Sequence, residues 1–246
     1  LSGYGPHARQ IGEWLMRLVN NGSIELYCEP LYWGTTTWIT NIDRAPLVNA
    51  LVTRCKKPPR QPDVSFQLQL PNEWAPKLAK INVGVTAAVE TDKAVPEWAA
   101  FCDGMDHVVV PSQHALNSLK AAGWSAPTGK AHVIGESFPD AMLETPNTDA
   151  LDPLPNFTFL VFGQMTGQDN ARVDRKNLHN TVKWLVEEVA DDKEVGILLK
   201  TNQGRSTVFD AYHTENIVRQ IVKEVASRTK KTLPELLAGY AKTPDV

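Results

Sequence analysis

The sequence predicts an α/β protein built around parallel strands. Three observations carry this prediction: short apolar runs recur along the chain, amphipathic helical patterns lie between them, and glycine, proline or polar turns bound the segments. The same alternation occurs before and after residues 136–156, where four prolines and several acidic residues indicate a linker. We therefore expect two α/β units joined by that linker.

The first predicted element is a helix at residues 7–20. Its apolar residues recur at helical spacing, and Pro6 suits the first turn. A short apolar run at 24–28 predicts a strand, and a weaker helical pattern follows at 45–54. At 64–70 apolar residues alternate strictly with polar ones, which predicts a strand with one polar face.

Residues 81–123 continue the alternation without interruption. Apolar residues predict strands at 81–85 and 107–110, and a short helix at 95–102 lies between them. Ser112 is placed to cap the helix that follows. This stretch therefore supplies two strands and two helices of the first unit.

The chain then completes the first unit and begins a second one. A strand is predicted near 132–134, and beyond the linker the order is strand, helix, strand, helix, at 157–163, 178–189, 195–200 and 217–225. Because strands that alternate with helices usually pair in parallel, the second unit is also expected to hold a parallel sheet.

Composition and charge narrow the class of protein. The 246 residues carry a formal net charge of −3 without a long basic run, so no nucleic-acid partner is expected. Hydrophobic residues make up 42% and charged residues 22%, as in ordinary globular proteins. Cys28, Cys55 and Cys102 are widely spaced, which predicts reduced thiols in a cytoplasmic protein. No apolar run approaches the ~18–20 residues of a membrane span.

A glycine motif precedes the first helix. Gly3 and Gly5 predict a turn that brings the backbone close to a phosphate or sugar at a helix start. With Ala8, and with Glu29 placed 21 residues further on, they also match a dinucleotide-binding fingerprint. Pro6 weakens the dinucleotide interpretation, because it removes one N–H group from the anion cradle. A third interpretation of the glycine motif is a turn with a purely structural role.

The order of features in residues 81–123 resembles that of retaining glycosyltransferases of the GT-B fold. In that family the amino-terminal domain carries an acidic turn after a strand, a Pro-x-Trp helix, an Asp before a hydrophobic strand, and Pro-Ser at the next helix start. The corresponding residues are Glu90, Thr91, Asp92, Pro96, Trp98, Asp106, Pro111 and Ser112. The resemblance implies two Rossmann-like domains, at 1–148 and 149–246, of which the first lacks its first strand and the second is incomplete.

The resemblance also implies which residues form the site. The donor diphosphate is expected at Gly3, Gly5, Gly163, Arg175, Lys176 and Lys200. The acceptor side is expected at His7, Glu90 and Thr91. Gln164 stands where the family usually has an arginine, so Arg172 or Arg175 is expected to substitute for it.

Two acidic residues have the same spacing as another motif of that family, but they lie at a different place in the chain. Glu136 and Glu144 have the spacing of its acidic donor-binding motif. They lie in the linker, whereas the motif of the family comes after a later strand. We therefore expect neither residue to have a role.

The implied reaction is transfer of a sugar, of the hexosyltransferase type, from a nucleotide diphosphate sugar to a hydroxyl acceptor, with retention and without a metal or other cofactor. The implied acceptor is a glycan, a lipid or a small molecule; peripheral membrane association and a homodimer through an exposed sheet edge stay open. The resemblance implies a fragment with little or no activity. The alternatives are an NAD-type oxidoreductase or epimerase, and a non-catalytic module that binds nucleotide sugars.

Overall fold

The computed structural model divides the chain into two compact units, one with the described residues up to Glu144 and one with those from Thr145 onward. The structure describes residues 4–31, 45–138, 140–145, 154–155, 157–165, 171–174, 176–189, 192, 194–202 and 208–229.

The first unit contains a four-stranded parallel sheet whose strands lie in sequence order. The strands are β1 (Val64–Leu68), β2 (Ile81–Val85), β3 (His107–Val110) and β4 (Ala131–Val133). Short apolar runs separated by helical segments favour this arrangement, because parallel neighbours need a crossover between them. The α/β class with parallel strands is therefore confirmed.

Four helices accompany this sheet, at α1 (Tyr4–Asn20), α2 (Pro46–Val52), α3 (Trp98–Gly104) and α4 (Gln113–Ala121). The predicted cap of α4 is confirmed, since the Ser112 hydroxyl accepts a hydrogen bond from the N–H of Ala115 at 3.1 Å. Single 3-10 turns occur at Pro71–Glu73 and Asp140–Leu143.

The polar face of β1 is its buried face. Ser65 and Gln67 are buried, while Val64 and Phe66 are exposed. The reason is the segment between β1 and β2, which lies over this face and needs partners for its backbone. The Gln67 amide donates to the carbonyl of Ala75 at 2.9 Å and accepts from its N–H at 2.7 Å. The side chain thus replaces a strand neighbour for this segment.

Asn82 performs the same function in β2. Its side-chain oxygen accepts from Ser65 Oγ at 3.0 Å and from the N–H of Ala79 at 2.9 Å. Its amide group donates to the carbonyls of Pro76 and Ala79, and its backbone N–H donates to Asp106 Oδ2 at 2.7 Å. The buried hydrogen bonds therefore join β1, the connecting segment, β2 and the start of β3.

The core of the first unit lies on this same side of the sheet. Val108 and Val110 of β3 pack there with residues of α3 and α4 and with three tryptophans, Trp74, Trp98 and Trp124. Gly84 of β2 makes room for the ring of Trp74, because a Cβ at this position would lie 2.7 Å from Cε2. A glycine here is thus a packing requirement.

The second unit contains a two-stranded parallel sheet and two helices. The strands are β5 (Phe157–Gln164) and β6 (Val195–Asn202), and the helices are α5 (Leu178–Val189) and α6 (Val208–Thr229). Val161 packs against both helices, in a core that includes Val182, Val186, Ile221 and Val225. This second core contains no residue of the first one.

Two local predictions were wrong. Residues 24–31 form no strand, and Cys28 makes a single backbone bond from its N–H to the carbonyl of Arg54, at 2.9 Å. An apolar run of this length needs a neighbouring strand to become one, and none of the described strands pairs with it. The first helix begins at Tyr4 rather than at residue 7, so Gly5 lies in its first turn and not in a loop.

Candidate functional site

A recess lies at the carboxyl ends of β2, β3 and β4, beside the first turns of α1. This edge is where open parallel sheets usually bind ligands. The cavity has a volume of about 10 Å³, which is about the space of one water molecule. Its lining residues are Tyr4, His7, Val85, Thr86, Ala87, Val109, Val110, Pro111, Ile134 and Glu136.

Tyr4 joins the start of α1 to the end of β2. Its hydroxyl lies 2.8 Å from Thr86 Oγ1 and accepts a hydrogen bond from the N–H of Ala87 at 3.0 Å. Thr86 Oγ1 also accepts from the N–H of Ala88 at 3.2 Å. Burial raises the pKa of Tyr4, and the negative charges of Glu73 and Glu136 raise it further. The hydroxyl therefore stays protonated and keeps these contacts.

His7 is the unsatisfied group of the recess. It lies three residues after Tyr4 on α1, and residues at this spacing share one face of a helix. The side chain is half-buried, and its Nδ1 is buried without a hydrogen-bond partner. Buried polar atoms of folded proteins almost always have a partner, so an unpaired one needs an explanation, such as a water molecule or a ligand group that contacts it.

Glu136 forms another part of the wall, although the sequence analysis expected it to have no role. It follows β4 by three residues, and the neighbouring Ser137 donates its hydroxyl proton to Gln10 Oε1 at 2.9 Å. This contact holds the segment against α1. The negative charge of Glu136 reaches Tyr4, since it contributes to the raised pKa of that residue. A carboxylate beside the first turns of a helix is favourable because of the helix dipole.

The other expected acceptor-side residues lie outside the recess. Glu90 and Thr91 are exposed and are not part of its lining, and Thr91 Oγ1 donates to the carbonyl of Lys93 at 3.1 Å. They belong to the turn between β2 and α3. Of the three residues expected on this side, the structure brings only His7 to the recess.

The glycine motif does not form the predicted phosphate loop in the described residues. Gly5 lies in the helix, its φ is not positive, and a Cβ there would have no atom within 4 Å. Glu29, the acid of the alternative dinucleotide fingerprint, is exposed in a segment without regular structure. Gly3 and Arg175 lie outside the described residues.

Gly163 has a structural reason to be glycine. It ends the apolar part of β5 with φ +153°, and a Cβ there would lie 3.2 Å from Leu178 Cδ1. A glycine therefore lets α5 begin close to the end of β5.

The start of α5 is organised by Asp174. This buried carboxylate accepts hydrogen bonds from the N–H groups of Lys176 at 3.2 Å and His179 at 3.0 Å. The Lys176 side chain is exposed. Lys200 is exposed as well, and it is paired in register with Phe162 on the sheet face opposite Val161 and the helices. Lys176 thus lies just before α5, whereas Lys200 lies on the sheet face opposite the helices.

The sequence analysis missed two polar groups of this unit. His179 Nδ1, in the first turn of α5, and Thr201 Oγ1, near the end of β6, are buried without hydrogen-bond partners. Thr201 is the register partner of Gly163. The signal that marks them is position, because Thr201 lies near the carboxyl end of β6 and His179 lies in the first turn of α5, the helix that follows β5.

A pair of histidines lies at the other end of the first sheet. His107 Nδ1 is 3.1 Å from His132 Nε2 and 3.2 Å from the carbonyl of Gly129, at the start of β3. Across the part of the chain that the structure describes, no three His, Cys, Asp or Glu side chains are grouped as a metal site. The contact between His107 and His132 links the amino-terminal parts of β3 and β4.

Comparison of the chain with protein-family models, with curated proteins and with solved structures gave no match. Among the described helices, none has the length and apolar character needed to cross a membrane.

Proposed function

We propose that this chain belongs to a retaining glycosyltransferase of the GT-B kind, whose first domain serves the acceptor and whose second domain serves a nucleotide diphosphate sugar. One observation carries the proposal. The described residues contain three buried side-chain polar atoms without partners, namely His7 Nδ1, His179 Nδ1 and Thr201 Oγ1. His7 lines the recess at the carboxyl ends of β2, β3 and β4, Thr201 lies near the carboxyl end of β6, and His179 lies in the first turn of α5, the helix that follows β5. Parallel α/β units bind ligands at these ends. The motif order in residues 81–123 adds the resemblance to this family.

The proposed reaction needs a hydroxyl acceptor and a good leaving group. The acceptor oxygen forms a bond to the anomeric carbon while the bond from that carbon to the diphosphate breaks, and the hydroxyl proton passes to the diphosphate. The products are a glycoside and a nucleoside diphosphate. Because negative charge grows on the leaving diphosphate, fixed positive groups stabilise the transition state. In the second unit Lys176 is proposed for this role, since Asp174 orders the backbone at its position.

Binding of the donor can be tested without turnover. We expect UDP-glucose or GDP-mannose to bind the chain in a calorimetric titration, and we expect Lys176→Ala to weaken that binding at least about tenfold, the usual value of a hydrogen bond to a charged group. Lys223→Ala is the matched control, because Lys223 is exposed on α6. Equal losses in both variants would remove Lys176 from the donor site.

The same titration separates the alternative functions. Binding of NAD without any response to a nucleotide sugar would overturn the glycosyltransferase proposal in favour of an oxidoreductase or epimerase. The exposed position of Glu29 is a reason to expect no NAD binding, because the ribose acid of such sites follows a strand. Nucleotide-sugar binding without transfer to any acceptor, here and in a longer chain, would indicate a binding module.

A further inference from the structure

We propose that the recess of the first unit is a subsite for one neutral hydroxyl group of a polyhydroxyl ligand, held by His7 Nδ1, and that it excludes phosphate. The proposed function enters only in naming this ligand as the acceptor. The subsite itself follows from the size, the hydrogen bonds and the charge of the recess.

Size and hydrogen bonds limit the ligand to one small polar group. The cavity of about 10 Å³ has space for about one water-sized group. Tyr4 and Thr86 are already bonded to each other and to the N–H groups of Ala87 and Ala88. His7 Nδ1 is buried without a partner. A hydroxyl group both donates and accepts, so it pairs with either tautomer of neutral His7.

Charge argues against an anion in the recess. The amino terminus of a helix usually attracts phosphate. Here Glu136 lines the recess beside the first turns of α1. Its negative charge, like that of Glu73, raises the pKa of Tyr4. The described lining contains no Lys or Arg that would neutralise a phosphate. A sugar or polyol hydroxyl fits these conditions, and a diphosphate does not.

The test follows nuclear magnetic resonance signals of the whole chain, namely the imidazole nitrogens of His7 and the backbone amide of Ala87. The probes are methyl α-glucoside, inorganic phosphate and methylammonium. We expect the glucoside to shift both signals saturably, and the two ions to leave them unchanged at equal concentration and ionic strength. His7→Phe is expected to weaken the glucoside response of the Ala87 amide at least about fivefold, as for one lost hydrogen bond.

Two further variants control for folding. His7→Gln keeps a polar group and is expected to recover part of the affinity, whereas His114→Asn, at an exposed position of α4, is expected to leave it unchanged. An unperturbed Ala87 amide signal before titration shows that a variant is folded.

The possible results are distinct. A shift caused by phosphate or methylammonium in the unmodified protein, or no shift with the glucoside, rejects the hydroxyl subsite. Glucoside binding without any nucleotide-sugar binding leaves the subsite intact and rejects the proposed function. Nucleotide-sugar binding without a glucoside response retains the proposed function and rejects this inference.

Discussion

Cys102 is the most strongly perturbed acid among the described residues. It is fully buried in the core of the first unit, and this burial, followed by the charge of Asp103, raises the pKa of its thiol to about 12. Cys55 is exposed by comparison. Cys102 therefore stays protonated in the folded protein at any physiological pH and is shielded from thiol reagents.

This raised pKa predicts that stability falls in alkaline solution. Above pH 9, the ordinary value of the thiol, the unfolded chain loses a proton that the folded chain keeps, so the unfolded state gains relative stability up to about pH 12. We expect the contribution of Cys102 to lower the free energy of unfolding by about 1.4 kcal/mol between pH 8 and pH 10. Urea unfolding at the two pH values measures it.

Cys102→Ala supplies the reference for that measurement. Other groups with raised pKa values, such as Tyr4 and Cys28, are present in both the unmodified protein and the variant. The difference between the two proteins in the loss of unfolding free energy is therefore due to Cys102. The variant is expected to lose less stability on going to pH 10. An identical loss in both proteins would show that Cys102 ionises normally when folded.

Some residues of the recess could be predicted from the sequence and others could not. His7 was found because it follows a glycine motif at the start of an amphipathic helix. Thr86 was missed, although it directly follows the last apolar residue of β2, a position at the ligand-binding edge of a parallel sheet. Glu136 was dismissed as part of the linker, because the sequence does not show that Ser137 bonds to Gln10 of α1.

At the scale of elements, periodicity located β1 but did not say which of its faces is buried. An alternating strand usually buries its apolar side, whereas β1 buries Ser65 and Gln67. The cause is the segment between β1 and β2, which has little regular structure. Its backbone at Ala75 needs the side-chain amide of Gln67 as a hydrogen-bond partner. The predicted strand at 24–28 failed for a related reason, since strand formation depends on a neighbour that a local pattern does not reveal.

Replacement by Ala is expected to have opposite effects on stability at Gly84 of β2 and at Gly5 of α1. Gly84→Ala places a Cβ 2.7 Å from the Trp74 ring, which is fixed by its Nε1 donating to the carbonyl of Gln67 at 2.9 Å. We expect a loss of about 1–3 kcal/mol in the free energy of unfolding. Gly5→Ala has open space in a helix, so a gain of about 0.5 kcal/mol is expected.

Urea unfolding of both variants measures the two effects. Gly5→Ala carries a second result, because it also tests the predicted phosphate loop. If the Gly5→Ala protein still binds the nucleotide sugar, Gly5 is a helical residue of α1 and not part of a phosphate loop. A destabilised Gly5→Ala protein that no longer binds the nucleotide sugar would restore the loop interpretation.

At the scale of the whole molecule, the sequence indicated two units but not the incomplete covering of the first sheet. Val64 and Ile81 are register partners, and both are exposed together with Phe66 on the face opposite the core. In the described chain β1 has one partner strand, β2. Homodimerisation at this edge stays a prediction, because local patterns determine strands but not what covers their outer faces.

The separate cores of the two units predict two unfolding transitions. Leu119 belongs to the first core and Ile221 to the second, and both side chains are almost fully buried. A buried Leu or Ile replaced by Ala costs about 2–5 kcal/mol, because the cavity left behind is only partly filled. We expect Leu119→Ala to destabilise the first unit alone, and Ile221→Ala to destabilise the second unit alone.

Two probes distinguish the transitions during urea unfolding. Fluorescence reports mainly on the first core, because Trp74, Trp98 and Trp124 are buried there, whereas Trp184 on α5 of the second unit is already 55% exposed when folded. Far-ultraviolet circular dichroism follows the helices of both units. Leu119→Ala is therefore expected to shift the fluorescence midpoint, and Ile221→Ala to shift only a part of the dichroism change. If both variants shift one coincident transition equally, the two units unfold cooperatively and their cores are energetically coupled.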